Sequence, residues 1–297
     1  MFNDNELNLL LDLFHLYAPS NGEKPVLEFI KKVLTDNNIN FNEDKNGNIY
    51  CLNHLNAPLL SSHTDCVGTA ESGRYVNLVD IYPYKNDKIL KGIGNIGGDD
   101  KCGVFLILLL LLKGIKVNAF FSICEEIGGG NGICHLLTEI EGDEIFKSCP
   151  YCLVLDRRNN GDIICNENNY GSKPFENELA KIGIKYGYKP TKGLSCDMDK
   201  IKNYMNGCNL SVGYYNPHSS TEFVSLNDLY NTFMYVNDVV ENLPRDIEFV
   251  KPVTHTYTYS NGNYYYNGSH YNGNYYNGNY HNNYKKNTSF GDEWFYD

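Results

Sequence analysis

Hydrophobic residues recur at steps of three and four over residues 6–17 and 23–34, which predicts two amphipathic helices near the start of the chain. Residues 226–243 repeat this pattern and end at Pro244, a helix stop signal. Helices alternate with strands between them, which is typical of an α/β protein with a mixed sheet flanked by helices. The predicted strands cover 57–60, 117–124, 151–155, 161–165 and 209–215, with hairpins over 40–52 and 75–90 and further helices over 131–146, 176–184 and 197–205.

The longest apolar run extends from Val104 to Leu112. It is about half of the roughly 20 residues that a membrane-spanning helix needs, so it predicts a buried helix and no membrane partner. A glycine-rich segment precedes it and brings Asp99 and Asp100 to the start of the helix, where carboxylates are favoured by the helix dipole.

The composition changes abruptly near residue 250. From about His255 onward Tyr, Asn and Gly dominate, and Tyr-Asn-Gly recurs at 266–268, 271–273 and 276–278. A segment with so few aliphatic side chains cannot bury a core. We therefore expect a folded domain over residues 1–250 and a disordered tail over residues 251–297.

Charge and cysteine content narrow the class of protein. The formal net charge of −11 argues against a nucleic-acid partner, because phosphate contacts need a basic surface. The acidic start, Met-Phe-Asn-Asp-Asn-Glu, does not resemble an export signal. Ten cysteines without such a signal are better interpreted as reduced thiols than as disulfides, so we expect a cytoplasmic protein.

Five short polar stretches carry candidate metal ligands. In chain order they are Ser-Ser-His-Thr-Asp at 61–65, Gly-Gly-Asp-Asp-Lys at 97–101, Cys-Glu-Glu-Ile-Gly at 124–128, Leu-Val-Leu-Asp at 153–156 and Asn-Pro-His-Ser at 216–219. Three of them follow apolar strands, where open α/β sheets place their ligands. Imidazole and carboxylate groups together suit a pair of zinc-like ions that activate water.

The order His-x-Asp, Asp-Asp, Glu-Glu, Asp, His resembles the co-catalytic zinc exopeptidases of the MH clan, which include zinc aminopeptidases, peptidase T and carboxypeptidase G. The resemblance covers about residues 5–243. It implies two divalent metal ions, zinc or alternatively manganese or cobalt, with Asp99 bridging them. The implied ligands are His63, Asp99, Glu126, Asp156 and His218.

The resemblance also implies roles for two further acids. Glu125 would be the general base that takes a proton from the attacking water. Asp65 would accept the second N–H of the His63 imidazole and fix its tautomer. A strained peptide bond is implied between Asp99 and Asp100. The expected enzyme is thus a metallopeptidase, a hydrolase that cleaves amide bonds of small peptides.

The branch of the clan follows from spacing and from the fourth ligand. Neither interval 63–99 nor interval 156–218 leaves room for an inserted lid domain, which favours the single-domain aminopeptidase type. Asp156 is typical of aminopeptidases, whereas His-Ser-Ser-Thr-Glu at 218–222 resembles peptidase T. The alternative is a deacylase of N-acyl amino acids or a carboxypeptidase of the same fold, in which Arg157 and Arg158 hold a substrate carboxylate.

Other patterns indicate competing hypotheses. Residues 92–97 fit the dinucleotide pattern G-x-G-x-x-G, but two aspartates follow and would repel a pyrophosphate. Cys-Pro-Tyr-Cys at 149–152 resembles a redox pair, but it precedes a strand instead of opening a helix. A non-catalytic interaction protein that uses its Tyr/Asn tail is the rival from another class. The cysteines beside the proposed ligands are expected to be small buried residues; they are Cys66, Cys102 and Cys124.

Overall fold

A computed structural model of the chain describes residues 1–68, 77–166 and 169–252, together with the backbone of 256–260 and 263–267. Residues 1–252 form one compact unit and residues 253–297 a second. In the first unit, the described helices are α1 (Asp4–Phe14), α2 (Lys24–Asp36), α3 (Gly98–Leu112), α4 (Ile133–Ile140), α5 (Glu144–Ser148), α6 (Lys173–Gly183), α7 (Met198–Ile201) and α8 (Leu226–Asn242). The strands are β1 (Asn42–Glu43), β2 (Ile49–Cys51), β3 (Leu59–His63), β4 (Val79–Tyr84), β5 (Asp87–Gly92), β6 (Asn118–Ser122), β7 (Tyr151–Arg157), β8 (Asp162–Ile164), β9 (Lys189–Pro190), β10 (Asn206–Ser211), β11 (Tyr214–Tyr215) and β12 (Phe223–Ser225).

The larger sheet has eight strands in the order β1-β2-β6-β3-β7-β10-β8-β9. Strand β3 runs parallel to both β6 and β7, whereas β1 and β2 form an antiparallel hairpin. Successive side chains of a strand point to opposite faces of the sheet. Leu60 and Leu153 face the core that contains α3, and Leu59 and Val154 face the core that contains α4 and α7. This is the mixed α/β sheet flanked by helices that the sequence predicted.

Helix α3 is buried along almost its whole length. It contacts the sheet through β3 and β7 and the helices α1, α2 and α8. A helix that is apolar on all sides is stable only where it is surrounded in this way. Among the residues that the structure describes, no helix combines the length and hydrophobicity needed to cross a membrane.

A smaller antiparallel sheet has the order β11-β12-β5-β4. The register places Phe223 at the start of β12 opposite Lys91 near the end of β5. The loop that precedes β12 carries His218, and the loop that follows β5 leads to Asp99 at the start of α3. Two loops that are far apart in sequence therefore leave the small sheet side by side.

Three predicted elements differ from the structure. The helix predicted over 131–146 is divided into α4 and α5, because the Asp143 side chain accepts N–H bonds from Ile145 and Phe146 and starts a new helix. The strand predicted over 209–215 is divided into β10 and β11 at Gly213, whose φ of 88° turns the chain. The helix predicted over 197–205 is shortened to the single turn of α7.

The intervals in which an inserted lid domain was excluded contain core elements. Interval 63–99 holds β4 and β5, and interval 156–218 holds β8 to β11 with α6 and α7. No separate compact domain lies among the described residues of either interval. The predicted hairpin over 75–90 begins with two residues, 75 and 76, that lie outside the described ranges. Its described part forms β4 and β5, which pair as an antiparallel hairpin.

In the second unit, β13 (Thr256–Ser260) pairs with β14 (Asn263–Asn267) as an antiparallel ladder from Thr256–Asn267 to Ser260–Asn263. The alternating Thr and Tyr residues of β13 have a high preference for strands. In these described residues that preference outweighs the polar composition from which a disordered tail was predicted. The Tyr-Asn-Gly repeats at 271–273 and 276–278 lie outside the described residues.

Candidate metal centre

The sheet topology brings the candidate ligands together. His63 is the last residue of β3, and Asp156 is the next-to-last residue of β7. Strand β6 ends at Ser122, shortly before a 3-10 turn that contains Glu125 and Glu126. Because β6, β3 and β7 are adjacent and parallel, their carboxyl ends meet at one edge of the sheet.

Five side chains form two groups that share one residue. In the first group, His63 Nε2 lies 3.1 Å from Asp99 Oδ1 and 3.6 Å from Asp156 Oδ1. In the second, His218 Nε2 lies 3.0 Å from Glu126 Oε1 and 3.2 Å from Asp99 Oδ2. The two oxygens of the Asp99 carboxylate thus face different groups, as a bridging residue requires.

The backbone at Asp99 departs from the helix that follows it. Its φ and ψ are −82° and 101°, and the peptide bond between Asp99 and Asp100 is cis. The Asp100 side chain points away from the shared carboxylate and accepts hydrogen bonds from Ser62 Oγ at 2.6 Å and from the Gly103 N–H at 3.1 Å. The structure thus departs from ordinary backbone geometry at the peptide bond that the resemblance singled out.

Asp65 is a buried carboxylate with four neighbours. Its Oδ1 lies 3.2 Å from His63 Nδ1, and its backbone oxygen lies 3.0 Å from the same nitrogen. Ser20 Oγ donates to Oδ2 at 2.7 Å. The N–H groups of Glu125 and Glu126 donate to the two carboxylate oxygens at 3.0 and 3.2 Å. Asp65 therefore joins the imidazole of His63 to the turn that carries the two glutamates.

The carboxylates of the centre are crowded in a buried environment. Burial raises the pKa of Asp156 well above its usual range, and the charge of Asp99 acts in the same direction. Burial also raises the pKa of Glu125 to about 7, with contributions from the charges of Asp197 and Glu126. Divalent cations among these groups would offset the repulsion between them. The mixed nitrogen and oxygen donor set therefore fits ions such as zinc, manganese or cobalt.

Comparison with known proteins gives a structural match without a sequence match. No protein-family model and no curated protein sequence matches the chain. A TET aminopeptidase from a marine sediment Thaumarchaeota archaeon is similar in structure, with a TM-score of 0.63 at 14% identity over 81% of this chain and 98% of that chain. Aminopeptidase PepT from Bacillus cereus has a TM-score of 0.61 at 14% identity over 80% and 97%. A tripeptidase from Staphylococcus aureus has a TM-score of 0.61 at 12% identity over 81% and 98%.

The chain has the fold of these aminopeptidases and of the tripeptidase. The resemblance drawn from the five motifs is thus confirmed at the level of the fold. At this sequence identity the fold is what the likeness shows, so the chemistry of the centre must be argued from the side chains of this chain.

Two buried acids beside the centre were not assigned a role from the sequence. Glu222, which belongs to the stretch 218–222, accepts N–H bonds from Ile96, Gly97 and Asp99. Its pKa is raised to about 7 by burial, although the Asp99 N–H bond acts in the opposite direction. Asp197 accepts a hydrogen bond from Ser122 Oγ at 2.7 Å. The motif at 218–222 was a signal for Glu222, whereas no local pattern distinguished Asp197.

The competing patterns have structural explanations within this fold. The N–H groups of Ile96 and Gly97, which a pyrophosphate would need, donate to Glu222 instead. Cys149 and Cys152 are buried, and burial raises the pKa of Cys149 to about 11, whereas a redox pair needs a lowered thiol pKa. All ten cysteines are free thiols, and those beside the ligands are buried, namely Cys66, Cys102 and Cys124. Arg157, which the alternative hypothesis assigned to a substrate carboxylate, donates through Nε to Asp162 Oδ2 at 3.3 Å.

Proposed function

We propose that this protein is a metal-dependent aminopeptidase that removes residues from the amino terminus of small peptides with two divalent metal ions. The observation that carries the proposal is the division of the Asp99 carboxylate between two groups of ligands. His63, Asp156 and Asp99 would hold one ion, and His218, Glu126 and Asp99 the other. Zinc fits this donor set best, and manganese and cobalt are the alternatives.

When bound, two ions held by these residues would lower the pKa of a water molecule and stabilise negative charge on the carbonyl oxygen of a substrate. Glu125 takes the proton of the attacking water and passes it to the leaving amine. No side-chain hydrogen bond joins Glu125 to another described residue, so its carboxyl group is free to meet a substrate.

Asp65 is assigned to orientation and not to proton transfer. It faces His63 Nδ1, the nitrogen opposite to the one that faces Asp99, and it receives the N–H groups of Glu125 and Glu126. One carboxylate therefore orients a metal ligand and the proposed base together. Groups of this kind typically change metal affinity or activity by about 10–100-fold when they are removed.

Small peptides with a free amino terminus are the proposed substrates. Two features support this choice, namely that no separate lid domain lies among the described residues up to 252 and that an aspartate, Asp156, occupies the fourth ligand position. The aminopeptidases and the tripeptidase that share the fold support it as well. A deacylase of N-acyl amino acids or a carboxypeptidase is the alternative, since the same centre would hydrolyse either amide bond.

The remaining assignments concern the domain boundary and the compartment. We propose that residues 1–250 are the catalytic domain and that the tail over 251–297 takes no part in chemistry, because every proposed ligand precedes residue 219. We also propose the cytoplasm as the compartment, since ten free thiols, most of them buried, suit a reducing environment.

The test is a digest of a synthetic peptide library by the purified protein, read by mass spectrometry. We expect stepwise release of amino-terminal residues, no cleavage after treatment with a chelator, and recovery on addition of zinc, manganese or cobalt. Peptides with an acetylated amino terminus are the matched control and should resist cleavage. Release of carboxyl-terminal residues or of acyl groups would favour the alternative, and cleavage that ignores the chelator would contradict the metal centre.

A further inference from the structure

Glu222 is a fully buried carboxylate that makes three hydrogen bonds with one short segment of backbone. Its Oε2 accepts the N–H groups of Ile96 at 2.8 Å and Gly97 at 2.9 Å, and its Oε1 accepts the N–H group of Asp99 at 3.2 Å. The backbone of residues 96–99 is therefore held in place by hydrogen bonds to Glu222.

The segment fits closely against this carboxylate. A Cβ atom at Gly98 would lie 3.0 Å from Glu222 Oε1 and 2.9 Å from Tyr214 Cβ. Any side chain larger than hydrogen at this position would displace either the carboxylate or the tyrosine. The glycine thus lets the backbone of 96–99 approach Glu222 closely enough to donate all three hydrogen bonds.

Glu222 also belongs to the loop that carries His218. Apart from the contacts of the His218 ring with Glu126 and Asp99, the loop has side-chain hydrogen bonds within itself, such as Ser219 Oγ to the Asn216 oxygen at 2.8 Å and the Thr221 N–H to Ser219 Oγ at 3.2 Å. His218 is 39% exposed and has a φ of 60°, in the left-handed region that few residues other than glycine occupy. Among the described contacts, Glu222 connects this loop to the backbone that bears Asp99.

We propose that Glu222 is a positioning residue that fastens the loop of His218 to the segment of Asp99 and thereby sets the affinity of the metal position between them. This inference rests on the proposed metal centre and adds a role that the ligands themselves do not have. The position formed by His63 and Asp156 depends less on Glu222, because both of those ligands lie on strands of the large sheet.

The test is a titration of the metal-free protein with Co²⁺ alone, followed by calorimetry and by visible absorption. In Glu222→Gln the side chain keeps its size, but its amide nitrogen must face one of three N–H donors. We expect the affinity at the His218 position to fall about 10–100-fold while the His63 position keeps its ion. The variant His218→Ala identifies which of the two binding steps belongs to the His218 position.

Asp44→Asn is the matched control. Asp44 is another buried carboxylate that accepts three backbone N–H groups, from Asn46, Gly47 and Asn48. It belongs to neither group of proposed ligands, but with His135 and Glu139 it forms a third set of side chains that could hold an ion, so Co²⁺ bound there is counted separately. This variant should lose thermal stability without a change in either Co²⁺ affinity. If it lowers the affinity at the His218 position as much as Glu222→Gln does, the effect is a general loss of stability and the proposal is wrong.

The outcomes separate this inference from the proposed function. A wild-type protein that binds fewer than two Co²⁺ ions contradicts the metal centre itself. If Glu222→Gln binds both Co²⁺ ions with the affinities of the wild type, the role of Glu222 is contradicted and the metal centre is not. If the variant does not fold, hydrogen exchange of the wild type decides: Co²⁺ should slow exchange in segments 94–99 and 216–222 together, and slowing in one segment alone overturns the proposal.

Discussion

The two halves of the proposed metal centre are built in different ways. His63 is 2% exposed and ends a strand between two parallel neighbours, and Asp156 lies on one of those neighbours, where Asn209 Oδ1 accepts its N–H. His218 is 39% exposed and lies on a loop, and Glu126 belongs to a single 3-10 turn. The sheet therefore preorganises one half, whereas loop contacts assemble the other. The halves should differ in metal affinity, with the sheet half binding first and more tightly.

Asp99→Ala should have the largest effect, because Asp99 belongs to both halves. Removal of the shared carboxylate should abolish activity and release both ions. It should also remove the stabilisation that bound metal provides, which is about 2.7 kcal/mol at a metal concentration of one hundred times Kd. Metal analysis and thermal unfolding of the same sample check this result. Two tightly retained ions would show that Asp99 does not bridge the halves.

Glu125→Gln should affect the chemistry and neither half of the centre. The amide cannot accept the proton of the attacking water, so turnover should fall by about 10²–10⁴. Metal content should equal that of the wild type, because Glu125 is not among the proposed ligands. Steady-state kinetics with metal analysis measure both quantities. A rate near that of the wild type would remove Glu125 from the mechanism.

His63→Ala and His218→Ala compare the halves directly. His218→Ala should lose one ion, with an affinity at least tenfold lower at that position, and without metal it should unfold at nearly the temperature of the metal-free wild type because the side chain is exposed. His63→Ala should lose the tighter ion and unfold at a clearly lower temperature, since it leaves a buried cavity and removes the imidazole that faces the buried carboxylates of Asp65 and Asp156. Equal losses of stability in the two variants would contradict the difference between the halves.

A chain that ends at Lys251 should show the smallest effect. All proposed ligands lie in the unit of residues 1–252, so the shortened protein should fold, bind two ions and keep its kcat/KM on a short peptide. Light scattering compares the sizes of the two proteins and shows whether the tail promotes self-association. If the shortened protein folds correctly but loses activity, the proposed domain boundary is wrong.

The same contrast explains how much the sequence could predict. The half on the sheet could be predicted because apolar strands run directly into His63 and Asp156, and a short continuous apolar run is typical of a fully buried strand. The division of 131–146 into two helices was missed, because the cap provided by Asp143 competes locally with an apolar pattern that continues through it.

The half on the loops was accessible only through the motif resemblance. Glu222 acts on backbone groups that precede it by 123 to 126 residues, and no periodicity within a short window reports such a contact. Asp197 is likewise joined to Ser122 across 75 residues. Interactions of this kind depend on the order of strands in the sheet, which a pattern of single residues does not specify.

The most direct test of the shared carboxylate is anomalous diffraction from crystals of the wild-type protein grown with Mn²⁺ or Zn²⁺. The account predicts two anomalous peaks about 3.5–4 Å apart, one beside His63 and Asp156 and the other beside Glu126 and His218, with one Asp99 oxygen on each. A single peak, or two peaks that do not both contact Asp99, would contradict it.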